Sequence, residues 1–305
     1  MNYTLVIHGG AGTIRAADTT PVQQEAYRAA LLAALAAGEA VLSLSGPALD
    51  AVEATVRCLE DCPLFNAGRG STFTAAGTIE MDAAVMDGAT GATGAVASVS
   101  RIRNPITAAR AVAARTLHVL LVGEGADAFA EKEGLELASA EWFHTEHRWM
   151  QLEAARAQDR VALDHDLPAL MGTVGAVARD QAGRLAAATS TGGMTNKHAG
   201  RVGDSPLPGA GTWADAAVAV SCTGIGEAFI RCAAAHELSA LVRHCGMSVQ
   251  QAAEQVALRL VPEAGGSGGL IAVDAAGTPA LVFGTAGMYR GVLRGGEAPR
   301  VGIWK

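Results

Sequence analysis

Aromatic residues make up only 4% of this 305-residue chain and charged residues only 17%, while half of it is apolar. A core so poor in rings must be filled by Ala, Val and Leu with backbones held close, and the 37 glycines fit that requirement. High apolar content at low charge excludes global disorder. No apolar run reaches the ~20 residues needed to span a bilayer, so no membrane partner is expected. The opening MNYTLVIHGGAG lacks a basic stretch and soon meets glycines, which does not read as a secretory leader. The formal charge is −7 and Lys and Arg are nowhere gathered into a run, which argues against nucleic acid as a partner. The five cysteines are odd in number and contain no C-x-x-C pair, which disfavours a disulfide framework and a zinc knuckle. Buried, reduced thiols in a cytoplasmic protein are the expectation. Length allows one large domain or two ordinary ones.

Patterning predicts a mixed fold. Thr4 to Ile7 reads as a short buried strand that ends in a glycine turn. Thr20-Pro21-Val22-Gln23 is a helix start, with a Thr cap, Pro at the first position and Gln at the third, and the helix should run to about Ser43. A second helix fits Pro47 to Glu60, with Leu49, Val52, Val56 and Leu59 on one stripe. Strands are expected between Ile79 and Ser100, then a helix from Asn104-Pro105. Segment 144–166 is charged, has no glycine, and reads as a helix fraying into an exposed linker that extends to about residue 172. Thr173 to Val177 and Leu185 to Ser190 form a hairpin about Asp180 to Gly183, and a second hairpin turns at Asp274 to Gly277. Strands, two helices and strands again favour two sheets between helical layers over a βαβ repeat.

Residues 171–197, MGTVGAVARDQAGRLAAATSTGGMTNK, gather hydroxylated and small side chains with Asp180 as the only acid. A hydroxyl becomes a useful nucleophile only beside a base. None of the eight histidines lies in a triad signature, and His8 reads as a satisfied turn histidine. One arrangement needs no histidine. If the bond before a Thr is cut, its own α-amine, with a pKa of ~8, can accept the hydroxyl proton. Such a Thr should open a buried strand, follow a linker and be preceded by a small residue. Thr173, after Gly172, meets all three conditions, and a plain strand threonine is the alternative.

HGGAG, CPLFNAGRGS, MDAAVMDG, GTVGAVARD, TSTGGMTNK, GRVGDSPLPGAGTWAD, SCTGIGE and GGSGGLIAVD follow one another along the chain. Together they resemble the plant-type L-asparaginase and isoaspartyl peptidase family of N-terminal-nucleophile hydrolases, over nearly the whole length. The resemblance implies an α+β fold of the four-layer αββα sandwich type, as one domain cut between Gly172 and Thr173 into chains 1–172 and 173–305. It implies Thr173 as nucleophile and Thr191 as the hydroxyl that supports it. Arg201 and Asp204 match the pair that grips the α-carboxylate and α-amine of the substrate, and those charges suit a carboxylate and an ammonium. Thr223 and Gly224 match the oxyanion site, with Gly226 beside the substrate, and Asn66 matches an Asn close to the nucleophile. No cofactor is implied for catalysis. A structural sodium is implied on backbone carbonyls of Leu59, Glu60, Cys62, Phe65, Ala67 and Arg69. The implied substrates are L-asparagine and β-aspartyl dipeptides, and the implied assembly is a dimer of αβ units.

The chain departs from the family pattern at Gly284 and Ala286, where relatives carry Asn and Glu, and at Arg69, where they are usually aliphatic. Each site residue also has a bland reading: Arg201 and Asp204 as a surface salt bridge, Thr191 and Thr223 as strand residues, Asn66 as a turn residue. Three rivals compete for the function, one of them an unprocessed, catalytically silent binding protein. A strand before HGGAG also resembles the opening of amino-acid kinases, whose glycine amides cradle phosphate. Glycosylasparaginase is the nearest enzyme alternative.

Overall fold

The computed structural model describes residues 2–158 and 172–305. Its strands in the N-terminal half are β1 (Thr4–Gly12), β2 (Met81–Asp87), β3 (Thr93–Val99) and β4 (Leu120–Val122). The rest are β5 (Val174–Arg179), β6 (Leu185–Thr191), β7 (Thr212–Ala214), β8 (Val218–Gly224), β9 (Gly268–Asp274), β10 (Pro279–Phe283), β11 (Gly287–Arg294) and β12 (Arg300–Trp304). Helices α1 (Pro21–Leu42), α2 (Ala48–Asp61), α3 (Pro105–Arg115), α4 (Gly123–Lys132), α5 (Ala140–Phe143) and α6 (Glu146–Ala157) precede Gly172. Helices α7 (Gly226–Arg231), α8 (Ala234–Cys245) and α9 (Val249–Gln255) follow it.

Among the described residues the strands form an eight-stranded sheet, ordered β12-β11-β1-β5-β6-β2-β3-β4, and a four-stranded sheet, ordered β10-β9-β8-β7. Strand periodicity sends alternate side chains to opposite faces, and here both faces are buried. Leu5 and Ile7 join the core under α1 and α2, whereas Val6 joins the layer between the sheets. Val218, Val220 and Cys222 pack under α8 and α9, whereas Ala219 faces the large sheet. Ile271 and Val273 of β9 point inward, and Leu270 and Ala272 outward. Three stacked apolar layers therefore require four layers of structure. The fold is an α+β, αββα sandwich.

Local signals explain the element ends. The Thr20 side chain accepts from the Gln23 N–H and the Gln23 side chain accepts from the Thr20 N–H, a complete capping box with Pro21 behind it. The β5–β6 turn is built by Asp180, which accepts from the backbone N–H groups of Ala182 and Arg184 at 2.9 and 3.0 Å.

Several expectations are corrected. The first strand does not stop at Ile7 but runs through the glycines to Gly12, with a register shift between His8 and Gly10. These glycines serve close approach: a β-carbon at Gly9 would collide with the Phe65 ring, and one at Gly10 would lie 2.5 Å from the Gly172 nitrogen. His8 is accordingly a buried strand residue, not a turn residue. The charged segment after His144 is not exposed through its first part. Thr145 caps α6, which buries Arg148, Leu152 and Ala155, and Arg148 Nε donates to the Gly70 carbonyl at 2.7 Å. The remainder of the expected linker, 159–171, lies outside the described residues. All five cysteines are free, but only Cys222 is fully buried and Cys245 is exposed.

Candidate active site

Thr173, Thr191 and Thr223 all point into the layer between the sheets, at one end of it, because each stands four residues from an inward-facing neighbour: Val177, Ala187 and Ala219. Thr173 Oγ1 donates to Thr191 Oγ1 at 3.1 Å. Thr191 Oγ1 also accepts from the Gly193 N–H at 3.0 Å. Two donors on one hydroxyl oxygen fix its position and leave its own hydrogen free to be shared. Gly172, the residue before Thr173, rests on Gly10 of β1.

Arg201 and Asp204 are not a surface salt bridge. The Arg201 guanidinium forks onto Glu227, with Nε to Oε1 and Nη2 to Oε2 both at 2.9 Å. Asp204 is 3% exposed, and its Oδ2 has no hydrogen-bond partner among the described residues. Burial pushes its carboxyl up to about 6, opposed in part by the Arg201 charge. Glycines make this arrangement possible. A β-carbon at Gly211 would lie 2.8 Å from Asp204 Oδ2, and one at Gly226 would lie 2.9 Å from Asp204 Oδ1 and 3.1 Å from Arg201 Nη2. A buried carboxylate with a bare oxygen is a site for an ammonium, and a held guanidinium is a site for a carboxylate.

Thr173, Thr191, Arg201, Asp204, Gly224 and Gly226 line one pocket with Gly172, Gly193 and Met194. Its free volume is about 10 Å³, room for a single water. A larger cavity of about 640 Å³ lies elsewhere, among Phe73, Ile79, Ser100, Phe143 and His144, and none of the site residues lines it.

Of the expected residues, Thr223 and Asn66 stand behind the pocket wall, while Gly224 is part of it. Thr223 is fully buried, and its Oγ1 accepts from the Ala11 N–H at 3.2 Å, which leaves the hydroxyl hydrogen to donate. Gly224 has φ +148, and a β-carbon there would collide with the Ser267 carbonyl, so no larger residue fits. Asn66 braces the loop that carries Gly193: its Nδ2 donates to the Gly193 carbonyl at 2.7 Å and its Oδ1 accepts from the Thr72 N–H at 3.0 Å. The amides of Gly10, Ala11 and Gly12 lie in a strand paired with β11, so HGGAG offers no open phosphate cradle.

The expected cation loop follows α2. The carbonyls of Leu59, Cys62, Phe65 and Ala67 accept backbone N–H groups at 3.3, 3.4, 3.0 and 3.1 Å, and each retains a second lone pair. Gly68 has φ +52, with the Glu60 carbonyl where a β-carbon would be. The Glu60 carboxyl is turned away, accepting from Ser190 Oγ at 2.6 Å and the Ile106 N–H at 3.0 Å, and burial pushes it up to about 8. Hard oxygen donors without a carboxylate suit an alkali cation. The Arg69 guanidinium lies 4.6 Å from the centre of the Trp142 ring. A β-carbon at Gly284 would meet only ordinary contacts, with Leu258, Ala257 and Gly268, so the packing there does not demand glycine.

Sequence reading missed Glu227, the partner of Arg201, although it closes the quoted SCTGIGE. It also missed Gly193, whose N–H holds Thr191. Nothing in one sequence marks either, since one role comes from the first turn of α7 meeting Arg201 and the other from the geometry of the loop after β6.

With that geometry in place, comparison with known proteins gives a family. Residues 1–303 match the asparaginase family. The chain belongs to it. An isoaspartyl peptidase of Salmonella typhimurium is 52% identical over 312 aligned residues that cover 100% of both chains. An isoaspartyl peptidase of Escherichia coli is also 52% identical, across 99% of this chain and 96% of that one. A plant-type L-asparaginase of Pyrococcus horikoshii is 41% identical, across 98% of this chain and 99% of that one. Membership spans both sheets and the whole pocket of this asparaginase-family chain.

Proposed function

We propose that this chain is an isoaspartyl peptidase and L-asparaginase, an amidohydrolase that cuts the side-chain amide or isopeptide bond of aspartyl substrates. The observation that carries the reading is the Thr173–Thr191 hydroxyl contact in one pocket with Arg201 and Asp204. The chain cuts itself between Gly172 and Thr173, giving 1–172 and 173–305 in one folded unit. The freed α-amine of Thr173 takes the proton from Oγ1. Oγ1 then attacks the β-carbonyl of a substrate whose α-carboxylate sits on Arg201 and whose α-ammonium sits on Asp204. The developing oxyanion is met by the Thr223 hydroxyl and the Gly224 N–H. The amine leaves with a proton, and water hydrolyses the β-aspartyl ester on Thr173 to release aspartate. No step draws on a cofactor.

The carbonyls of Leu59, Glu60, Cys62, Phe65, Ala67 and Arg69 hold a structural sodium ion that fixes the loop bearing Asn66. Two αβ units pair into a dimer, and the enzyme works in the cytoplasm. No described helix is long and apolar enough to cross a membrane, and the five cysteines are free.

The test is kcat/KM for β-Asp-Leu, α-Asp-Leu, L-asparagine and L-glutamine under one set of conditions. β-Asp-Leu is expected to be at least as good as asparagine. Glutamine is expected to be poorer by ~10² because one methylene displaces its carbonyl from the oxyanion donors. Efficient cleavage of the α-linked dipeptide overturns the reading, since its α-carboxylate is consumed in the bond.

A further inference from the structure

Behind the site, the layer between the sheets carries a second row of polar side chains. Every second strand residue shares a face, so one step back from Thr173, Thr191 and Thr223 stand Gly175, Thr189 and Ser221. His8 is the register partner of Gly175 across β1 and β5. Thr212 Oγ1 donates to Thr189 Oγ1 at 2.6 Å, the hydroxyls of Thr189 and Ser221 are 2.7 Å apart, and Ser221 Oγ is 2.9 Å from His8 Nε2. His8, Thr189 and Ser221 are 0% exposed and Thr212 is 1% exposed. A β-carbon at Gly175 would collide with Ser221 Oγ and lie 2.5 Å from His8 Nε2, so only glycine leaves room for the chain of bonds. Burial holds the imidazole neutral, its pKa lowered to about 3 against a smaller opposing pull from the Thr173 backbone carbonyl.

His8 and Thr189 belong to the large sheet, and Ser221 and Thr212 to the small one. Every link of the chain therefore crosses between the sheets. The same division separates Thr173 and Thr191 from Thr223 and Gly224. The apolar contacts of this layer, such as Val6 and Val177 against Ile271 and Val273, are non-directional. Hydrogen bonds between buried groups fix both distance and direction.

We propose that His8, Ser221, Thr189 and Thr212 form a positioning network that sets the sheet carrying the nucleophile against the sheet carrying the oxyanion donors. The proposal rests on the reading of Thr173 as nucleophile and of Thr223 and Gly224 as the oxyanion site. None of the four side chains lines the pocket, and Thr189 and Ser221 make no bond to Arg201 or Asp204. Thr189 Oγ1 also reaches the carbonyl of Gly211, which packs on Asp204, at 3.3 Å. Among the described residues the Ser221 hydroxyl bonds only His8 and Thr189, so its loss acts on the chemical step and not on the grip of the substrate's α-groups.

The test uses Thr189→Val, Thr189→Ser and Ser221→Ala in the full chain, with β-Asp-Leu as substrate. Thr189→Val and Ser221→Ala are expected to lower kcat by ~10- to 100-fold, with KM unchanged in Ser221→Ala, the scale of a misplacement near one ångström. Thr189→Ser, which keeps the hydroxyl, should restore the wild-type kcat. Self-cleavage needs the same alignment, so in a folded variant that stays uncut the slowed conversion supports the network. If Thr189→Val does not fold, Ser221→Ala decides alone. A wild-type kcat in either hydroxyl-free variant, a loss expressed through KM in Ser221→Ala, or failure of Thr189→Ser to rescue overturns the proposal. Thr173→Ala is the separate control: an active Thr173→Ala chain overturns the reading of the nucleophile itself.

Discussion

The Asp204 carboxylate lies against Gly226 so closely that a β-carbon there would stand 2.9 Å from Oδ1. The other oxygen, Oδ2, is buried without a partner. The cost of that burial shows in the carboxyl, raised from 3.8 to about 6 chiefly by desolvation. In the unfolded chain Asp204 loses its proton near the ordinary value, and in the folded chain only near pH 6. The native state therefore holds more protons between those values, and this group's effect on stability worsens as pH rises through that window and is constant above it.

The same shift gives a binding prediction. An α-ammonium needs the ionised carboxylate, so L-aspartate, the product, should bind less tightly as pH falls below about 6, by up to about tenfold per pH unit. Competitive inhibition by L-aspartate across pH 4.5–8 measures it, at the ~tenfold-per-unit slope expected for one proton. In Asp204→Asn the step near pH 6 should vanish and binding should be weak throughout. An unchanged step in that variant assigns the titration to another group.

Gly226→Ala places a methyl group between Asp204 Oδ1 and Arg201 Nη2, where 2.9 and 3.1 Å are available to it. The two groups must move apart, and KM for L-asparagine should rise about tenfold or more. Self-cleavage should proceed as in the wild type, because Thr173 and Thr191 are untouched. Steady-state kinetics on the processed variant check both halves, and an unaltered KM means that these two groups do not grip the substrate.

Arg201→Ala removes a charge-assisted contact to the α-carboxylate, of order 1.5–3 kcal/mol, and should raise KM about tenfold and upward. The Glu227 side chain left behind is 42% exposed and stays solvated, so the variant should fold. Thermal unfolding beside kinetics separates the effects: a large fall in Tm with unchanged KM makes the Arg201–Glu227 pair a structural tie only.

Periodic features were legible in the sequence. Thr20-Pro21 and Gln23 announced α1, and the alternation in 173–190 announced the β5–β6 hairpin, because both signals are local. Features made by distant backbone contact were not. Gly9 and Gly10 read as a turn, whereas they are strand residues kept bare by Phe65 and Gly172. Strand β11 carries Gly291 at its centre and Arg290 and Arg294 on it, which obscures a strand pattern; Gly291 is small because Leu35 and Ile7 pack on it. The composition of α6 suggested solvent, but Arg148 is drawn inside by the Gly70 carbonyl. At the site, motif resemblance named Thr173, Thr191, Arg201 and Asp204, which the fold brings to one pocket. Glu227 stayed hidden because an ion pair over 26 residues leaves no mark on spacing.

The central claim is that Thr173 acts through its own amine, and this requires that the bond after Gly172 be broken. Intact mass of the purified wild-type protein, beside Thr173→Ala, tests it most directly. The wild type should yield two chains, 1–172 and 173–305, and activity should rise in step with their appearance. Thr173→Ala should remain a single inactive chain. A wild-type protein that hydrolyses β-Asp-Leu while staying one unbroken chain would contradict the account.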